Sequence, residues 1–351
     1  MESSKVLLKA MRDSTYLSKS DGKKHWMIDA WLWGKTRRVR GNILVGKIPV
    51  LYCDYDNHLG VGKFLQLFPL AGWKCNSILE AYFDGFKSRP NKDMIMRLIE
   101  KYYSIFENII KMHEVRAFLL TGLVGIYEAA ILQLSFDRNI PVYCCQHGLY
   151  LKLFPHKKLL KNVFFFASGD EEKKILLKEG IKRSHILMTG SPFFDEIVKY
   201  KNDVVEKYIV VLTQPLTDGE IDKQKYQNAL VEINTMYGKQ CRIIAKMHPR
   251  DNDVKRYKKL GWSIDKRIPK EHLYKLMASA RVVIGFESTA ELEAMMLGTQ
   301  VILYDDVRYD PFPYAYKKIP LSKQMDYIKK NFMLDGRARE RIERYLKCHC
   351  R

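Results

Sequence analysis

Short apolar runs alternate with amphipathic stretches from about residue 43 onward. An apolar run bounded by turn residues predicts a buried strand, whereas apolar residues spaced three and four apart predict a helix. The predicted strands are residues 43–53 (one or two strands), 117–120, 141–145, 162–167, 185–189, 207–212, 242–247, 281–285 and 300–304. The predicted helices are residues 94–112, 125–134, 171–179, 222–237, 270–278, 287–297 and, as one or two helices, 322–346. This alternation predicts an α/β protein in which parallel sheets are covered by helices.

The alternation restarts after a Gly-Ser-Pro turn at residues 190–192. Two successive strand–helix series predict two doubly wound, Rossmann-like domains that face each other across a cleft. The length of 351 residues agrees with two domains of ordinary size. We place the domains at residues 1–195 and 196–330, followed by a basic C-terminal helix or tail at 331–351.

The chain is strongly basic, with 60 Lys and Arg against 40 Asp and Glu and a net charge of +20. Such a surface favours an anionic partner: nucleic acid, an anionic membrane or a polyanionic substrate. The N-terminus lacks the apolar segment of a signal peptide, and Gly122, Gly125 and Glu128 interrupt the longest apolar stretch. Seven cysteines without a CxxC pair argue against a disulfide framework and against a structural zinc site. We therefore expect a cytoplasmic protein, associated at most peripherally with the inner face of the membrane, with no metal site.

Ligands of doubly wound sheets bind at the carboxyl ends of the strands, so the loops after the strands are the first places to examine. Gln146-His147-Gly148 directly follows the predicted strand at 141–145. A histidine there, titrating near neutral pH, could remove a proton from a hydroxyl group. The alternative is a structural histidine that bonds a neighbouring carbonyl group.

A second candidate string, Lys246-Met247-His248-Pro249-Arg250, ends the predicted strand at 242–247. Pro249 fixes a turn, while His248 and Arg250 offer charge-assisted donors to a phosphate group. We add Lys246, and also Gln214 after the preceding strand, to the residues expected to bind the ligand. The alternative is a purely structural turn with a solvated arginine.

The third string places Ser288 and Thr289 at the start of the predicted helix 287–297. The free backbone N–H groups and the positive end of the helix dipole favour an anion there. The same two residues would also cap any helix, and the two roles can coexist. Glu293, one turn later, is either a ribose-binding carboxylate or a solvated helix residue.

Over residues 115–305, the order of these motifs along the chain resembles the order found in the GT-B superfamily. The most similar branch contains CDP-glycerol glycerophosphotransferases and capsule glycosyltransferases that use CMP-activated sugars. The resemblance implies that His147 is the catalytic base and that His248-Pro249 corresponds to a motif contacting the nucleotide phosphate. It also implies that Ser288 and Thr289 hold phosphate. One departure is that the family's Thr-Pro after His-Gly is replaced by Leu149-Tyr150.

The resemblance implies a metal-independent glycosyltransferase, or a glycerophosphotransferase-like enzyme, that needs no cofactor besides its nucleotide-activated donor. The N-terminal domain would bind the acceptor and the C-terminal domain the nucleotide, and His248 would stabilise the departing phosphate. We expect a CMP- or CDP-linked donor rather than a UDP-linked one, and an anionic surface glycan or lipid-linked acceptor.

Two alternatives stay open. One is a non-hydrolysing UDP-N-acetylglucosamine 2-epimerase, although Glu287-Ser288-Thr289 stands where that family has Ser-Gly-Gly, and its acidic His-Val-Glu-Ala-Gly segment is absent at Gln146-His147-Gly148. The other is a basic nucleic-acid-binding protein with interleaved tyrosines such as Tyr309 and Tyr314. No nucleic-acid motif supports the latter, so we expect no specific nucleic-acid partner.

Overall fold

The computed structural model describes three short segments before residue 100 and most of the chain after it. The described residues are 40–44, 50–54, 70–74, 100, 103–104, 106–108, 110–111, 115–120, 122–123, 126–146, 157–200, 206–216, 221–309 and 313–349. The chain forms two compact units. The first unit comprises Met1–Phe193 together with Arg337–Arg351, and the second comprises Phe194–Gly336.

Each unit contains one sheet, and helices connect most of the parallel strands. The strands are β1 (Arg40–Leu44), β2 (Val50–Asp54), β3 (Leu70–Lys74), β4 (Ala117–Leu120), β5 (Val142–Cys144), β6 (Val163–Ala167), β7 (Ile186–Met188), β8 (Tyr208–Leu212), β9 (Arg242–Lys246), β10 (Ser263–Asp265), β11 (Val282–Gly285) and β12 (Val301–Leu303). The α-helices are α1 (Ile126–Arg138), α2 (Asp170–Lys178), α3 (Lys223–Tyr237), α4 (Val254–Lys259), α5 (Lys270–Ala278), α6 (Thr289–Met296), α7 (Gln324–Asn331) and α8 (Ala338–His349).

The sheet of the first unit has the order β3-β1-β2-β4-β5-β6-β7. Strands β2, β4, β5, β6 and β7 pair in parallel, as the sequence predicts. Strand β1 instead pairs antiparallel with both β2 and β3, so the expectation of a wholly parallel sheet is wrong at this edge. Only five residues separate β1 from β2, and so short a connection cannot hold the crossover that a parallel pair requires.

The C-terminal helix α8 belongs to the first unit, although the chain has passed through the second unit before reaching it. Ala338, Ile342 and Leu346 form a buried stripe at a spacing of four residues. The Tyr345 ring meets Tyr143 edge-on at 5.8 Å between centroids, and Arg341 Nε donates to the Thr189 carbonyl at 2.7 Å. Helix α8 therefore packs as part of the first unit.

The sheet of the second unit has the order β10-β9-β8-β11-β12, and all of its strands are parallel. Its core includes Ile209, Val211, Ile284 and Phe286 from the central strands and the segment after β11, all nearly inaccessible to solvent. The predicted strands and helices of this unit are confirmed. The sequence did not reveal β10, because Ser263–Asp265 contains a single apolar residue, nor α4, because six residues are too short for a helical period.

Gly285 ends β11, and the space where its Cβ would lie is filled by the carboxyl group of Glu291. Glu291 is fully buried in the first turn of α6. Because Gly285 has no side chain, the start of α6 can pack closely against the end of β11. This contact fixes the turn between the strand and the helix.

The Gly285→Ala variant should lose about 1–3 kcal/mol of unfolding free energy, because the new methyl group overlaps the buried Glu291 side chain. Adding Glu291→Ala should recover part of that loss, as expected for two residues in contact. Chemical denaturation of the single and double variants measures both effects.

The matched control for this pair is Gly261→Ala, at a glycine with φ of +77° and no atom near the added methyl group. It should cost about 1–2 kcal/mol from backbone strain alone. The unfolding free energies lost in Gly261→Ala and in Glu291→Ala should add in their double variant. If the losses in Gly285→Ala and Glu291→Ala also add, the packing of Glu291 against Gly285 is contradicted.

Candidate functional site

The candidate site lies at the carboxyl edge of the second unit's sheet. Strand β8 is the first strand of this sheet in the chain, and it lies between β9 and β11. The strand order therefore reverses next to β8, and doubly wound sheets bind ligands at such a switch point. The sequence strings containing Gln214, His248 and Ser288 follow β8, β9 and β11, so three neighbouring strands carry them.

Gln214 follows β8 and is 6% exposed. Its backbone N–H donates to the Tyr226 hydroxyl at 3.1 Å. The side-chain nitrogen Nε2 is buried and has no hydrogen-bond partner among the residues that the structure describes. A buried amide nitrogen without an acceptor is unfavourable, so this group is a candidate donor to a ligand.

His248 follows β9, with its backbone N–H bonded to Thr213 Oγ1 at 3.0 Å. Its Nδ1 accepts from the backbone N–H of Arg250 at 3.1 Å, which places the proton of a neutral imidazole on Nε2. Pro249 and Arg250 are exposed at the tip of this turn. The turn therefore holds the imidazole in a defined orientation and leaves the arginine in contact with solvent.

Lys246 ends β9 and is 8% exposed. Its Nζ lies 3.4 Å from the Met247 carbonyl oxygen. Burial lowers the pKa of this ammonium group, while the nearby Asp265 raises it. Lys246 thus lies at the same sheet edge as His248, beneath the surface of the turn.

A chain of buried hydroxyl groups connects the loops that follow β8 and β9. The Tyr226 and Tyr257 hydroxyls are 3.0 Å apart, and the Tyr257 hydroxyl donates to Asp251 Oδ2 at 2.6 Å. Tyr226 accepts from Gln214 and Tyr257 donates to Asp251, so Tyr226 must donate to Tyr257. Burial raises the pKa of Tyr226 to about 12, and burial raises the pKa of Tyr257 as well. These linked hydroxyl groups were not predicted from the sequence.

The turn between β11 and α6 carries Glu287, Ser288 and Thr289. Ser288 is the N-cap of α6, but its side chain makes no capping bond. Its Oγ is buried and has no partner in the described part of the chain. Thr289 is the first helical residue. The first turn of this helix thus offers a hydroxyl group, backbone N–H groups and the positive end of the dipole to an anion.

Two buried carboxyl groups flank this turn. Glu287 is fully buried, and its Oε1 lies 2.6 Å from Lys317 Nζ. Glu291 is also fully buried, and its carboxyl group lies close to the backbone N–H groups of Phe286 and Ser288, which lower its pKa. Burial raises the pKa of Glu291 to about 8, so the group is mainly protonated at neutral pH.

Glu293, the predicted ribose ligand, is 4% exposed on α6. Its Oε1 accepts from Lys270 Nζ and from the Tyr274 hydroxyl, both at 3.0 Å. This carboxylate therefore has an ion-pair role between α5 and α6. Ribose binding by Glu293 stays a prediction.

The structure adds a polar cluster at the end of β10 that the sequence did not reveal. Asp265 accepts from Arg267 through both Nε and a terminal nitrogen, and His272 Nε2 lies 2.7 Å from the same carboxylate. Burial alone would raise the pKa of Asp265, but the hydrogen bonds from Arg267 and His272 lower it to about 2. The only sequence signal was the Asp-Lys-Arg string after an isoleucine.

The proposed base His147 lies outside the described residues. Strand β5, which precedes it, is buried, and Gln146 is half-buried. Within the described ranges, no group of three or more His, Cys, Asp or Glu residues could hold a metal ion. In the same ranges, no helix is both long and apolar enough to cross a bilayer.

No protein-family model matches the chain, and no curated protein matches it. Several solved structures are similar in fold. The UDP-GlcNAc 2-epimerase of Methanocaldococcus jannaschii, in complex with UDP-GlcNAc and UDP, has a TM-score of 0.51 at 18% identity, covering 71% of this chain and 80% of that one. The Neisseria meningitidis UDP-GlcNAc 2-epimerase bound to UDP-GlcNAc has a TM-score of 0.53 at 14% identity, covering 77% and 88%.

The S. aureus MnaA–UDP co-structure is similar over a larger share of both chains, with a TM-score of 0.56 at 13% identity, covering 85% of this chain and 94% of that one. Together with the two α/β units and their largely parallel sheets, this likeness shows a GT-B, Rossmann-like fold. The fold class expected from the sequence is thereby confirmed.

The Tyr226→Phe variant should lose about 1–3 kcal/mol of unfolding free energy, because the buried Gln214 N–H loses its acceptor. Amide hydrogen exchange should also accelerate at Gln214 and in the loop that follows β9. Tyr208→Phe is the control, because the Tyr208 hydroxyl is only partly buried and bonds the Leu276 carbonyl. Equal exchange at Gln214 in both variants would contradict the linking role of Tyr226.

The Glu291→Gln variant should change how stability depends on pH. The pKa of Glu291 is raised above its unfolded value, so the folded state holds the proton more tightly. The stabilisation is complete below the unfolded pKa, near 4.5, and is lost as pH rises towards the folded pKa of about 8. Relative to Glu291→Gln, the wild type should lose up to about 1.4 kcal/mol per pH unit in this window. A constant difference from pH 5 to 8 in urea denaturation would refute this.

Proposed function

We propose that the second unit binds the nucleotide of an activated donor, and that the protein is a transferase. It would move a sugar or polyol-phosphate group to a hydroxyl group of a glycan or glycoconjugate. A CMP- or CDP-linked donor is favoured by the sequence resemblance. The net charge of +20 supports an anionic acceptor or an anionic membrane as the second partner.

The observation that carries this proposal is a pair of unsatisfied polar groups at neighbouring strand ends. Gln214 Nε2 follows β8 and Ser288 Oγ follows β11, and both are buried with no partner within the described residues. Unpaired groups of this kind cost free energy in the protein alone. A phosphate or ribose oxygen between them would accept hydrogen bonds and offset that cost.

The remaining groups at this edge suit a leaving phosphate. Arg250 is a permanent cation, His248 has its proton on Nε2, and the start of α6 carries a partial positive charge. These donors would stabilise the negative charge that develops on the nucleotide as the bond to the transferred group breaks. We propose that they make a metal ion unnecessary. His147 would remove the proton of the acceptor hydroxyl, a role that rests on sequence alone.

A second candidate function is epimerisation of a UDP-linked sugar. The three solved structures support it, since all bind UDP or UDP-GlcNAc and match most of this chain. Against it, Glu287-Ser288-Thr289 replaces the Ser-Gly-Gly helix start of those enzymes, and the acidic segment expected beside His147 is absent. We therefore rank the transferase first.

Thermal unfolding in the presence of CMP, CDP, UMP, UDP, GDP or ADP tests the proposal. A nucleotide at 100 times its dissociation constant should stabilise the protein by about 2.7 kcal/mol. We expect CMP or CDP to raise the melting temperature most. Ser288→Ala should weaken that binding by about 1.5–3 kcal/mol, the value of a hydrogen bond to a charged group.

Ser263→Ala is the matched control, because Ser263 begins β10 and its Oγ accepts only an exposed bond from Arg242. It should bind nucleotide like the wild type. Selective stabilisation by UDP, with a UDP-sugar converted in the absence of any acceptor, would establish the epimerase instead. If no nucleotide raises the melting temperature, the proposed function is wrong.

A further inference from the structure

Glu287 has an unusual backbone conformation. Its φ angle is +64°, and among the described residues the only other non-glycine with positive φ is Asn139. Asparagine tolerates this left-handed region because its short side chain can bond locally, whereas glutamate has no such compensation. Glu287 lies immediately before Ser288, so its conformation sets the direction in which α6 begins.

Lys317 supplies the compensation. Its Nζ lies 2.6 Å from Glu287 Oε1, and the side chains of the two residues are 9% and 0% exposed. The residues are 30 positions apart in the chain, so the contact ties the turn after β11 to the segment at Ala315–Lys318. A carboxylate this deeply buried is stable only with a close positive partner, so Lys317 holds the Glu287 side chain in place.

We propose that Lys317 is a positioning residue of the nucleotide site: by pairing with Glu287 it stabilises the left-handed turn that directs Ser288 and the first N–H groups of α6 toward the ligand phosphate. This inference rests on the proposed function. The turn is also supported from its other side, since Glu291 fills the space next to Gly285. Lys317 would act through Glu287 and would not itself contact the phosphate.

Four variants separate the effect on backbone conformation from the effect on charge. Lys317→Met removes the ion pair with Glu287 and leaves that carboxylate buried. Lys317→Met combined with Glu287→Gly removes both charges and places at the turn a residue that adopts positive φ freely. Lys317→Met combined with Glu287→Ala removes the same charges but retains the steric penalty. Lys270→Met is the control, because Lys270 pairs with a different glutamate, Glu293.

Two readouts are measured: amide exchange at Ser288 and Thr289 without ligand, and the affinity for the nucleotide that stabilises the wild type. Lys317→Met should accelerate exchange and weaken binding. The double variant with Glu287→Gly should recover slow exchange and nucleotide affinity. The double variant with Glu287→Ala should bind about 5- to 30-fold more weakly than the glycine one, because alanine bears the steric cost of the left-handed backbone conformation. Lys270→Met should leave exchange at Ser288 unchanged.

Equal exchange and equal affinity in the Gly and Ala double variants would overturn the inference, even if Lys317→Met alone fails to fold. Wild-type exchange and affinity in Lys317→Met would overturn it as well. If the wild type binds no nucleotide, the proposed function is wrong and the role of Lys317 in ligand binding is refuted with it. The exchange measurement then still decides whether Lys317 holds the turn.

Discussion

The cost of burying polar groups governs the carboxyl edge of the second unit's sheet. In a parallel sheet covered by helices, the carboxyl ends of all the strands lie at one edge. Backbone and side-chain polar groups are buried there side by side. Most of those groups are satisfied within the protein. The hydroxyls of Tyr226 and Tyr257 connect the backbone N–H of Gln214 to the Asp251 carboxylate. Two loops are therefore held by one buried series of hydrogen bonds. Among the described residues, Gln214 Nε2 and Ser288 Oγ are buried at this edge without a hydrogen-bond partner, and they mark the candidate ligand site.

Four buried carboxyl groups around that site are neutralised in two ways. Three of them pair with a cation: Glu287 with Lys317, Glu293 with Lys270 and Asp265 with Arg267. Glu291 instead keeps its proton, since its pKa is raised to about 8 by burial. A negative charge at Glu291 would repel an anion at the nearby helix start, so the protonated form is compatible with the proposed binding of an anion there. The basic side chains that make the pairs are part of the excess of positive charge in the sequence.

Much of the fold could be predicted from the sequence. The apolar runs at β4, β6, β8, β9 and β11 are continuous, because these strands are buried on both faces, and the helices between them show a clear period. The misses have physical causes. Strand β10 has a single apolar residue and helix α4 is too short for a helical period, while the antiparallel edge at β1 depends on a connection length that the strand pattern does not encode. The strings at Gln214, His248 and Ser288 could be proposed as a site from the sequence because ligands of such sheets bind at strand ends.

The sequence by itself determined the α/β class, the two strand–helix series and the strand ends that carry polar residues, because these depend on local periodicity and turn residues. Only the tertiary structure decided which of those polar residues are already satisfied. Glu293 and Ser288 are equally polar in the sequence, yet one is engaged by Lys270 and Tyr274 while the other has no partner among the described residues. The partner of Glu287, 30 residues away, was equally hidden. Ion pairs and hydrogen bonds between distant segments depend on three-dimensional packing, and no spacing along a single chain specifies them.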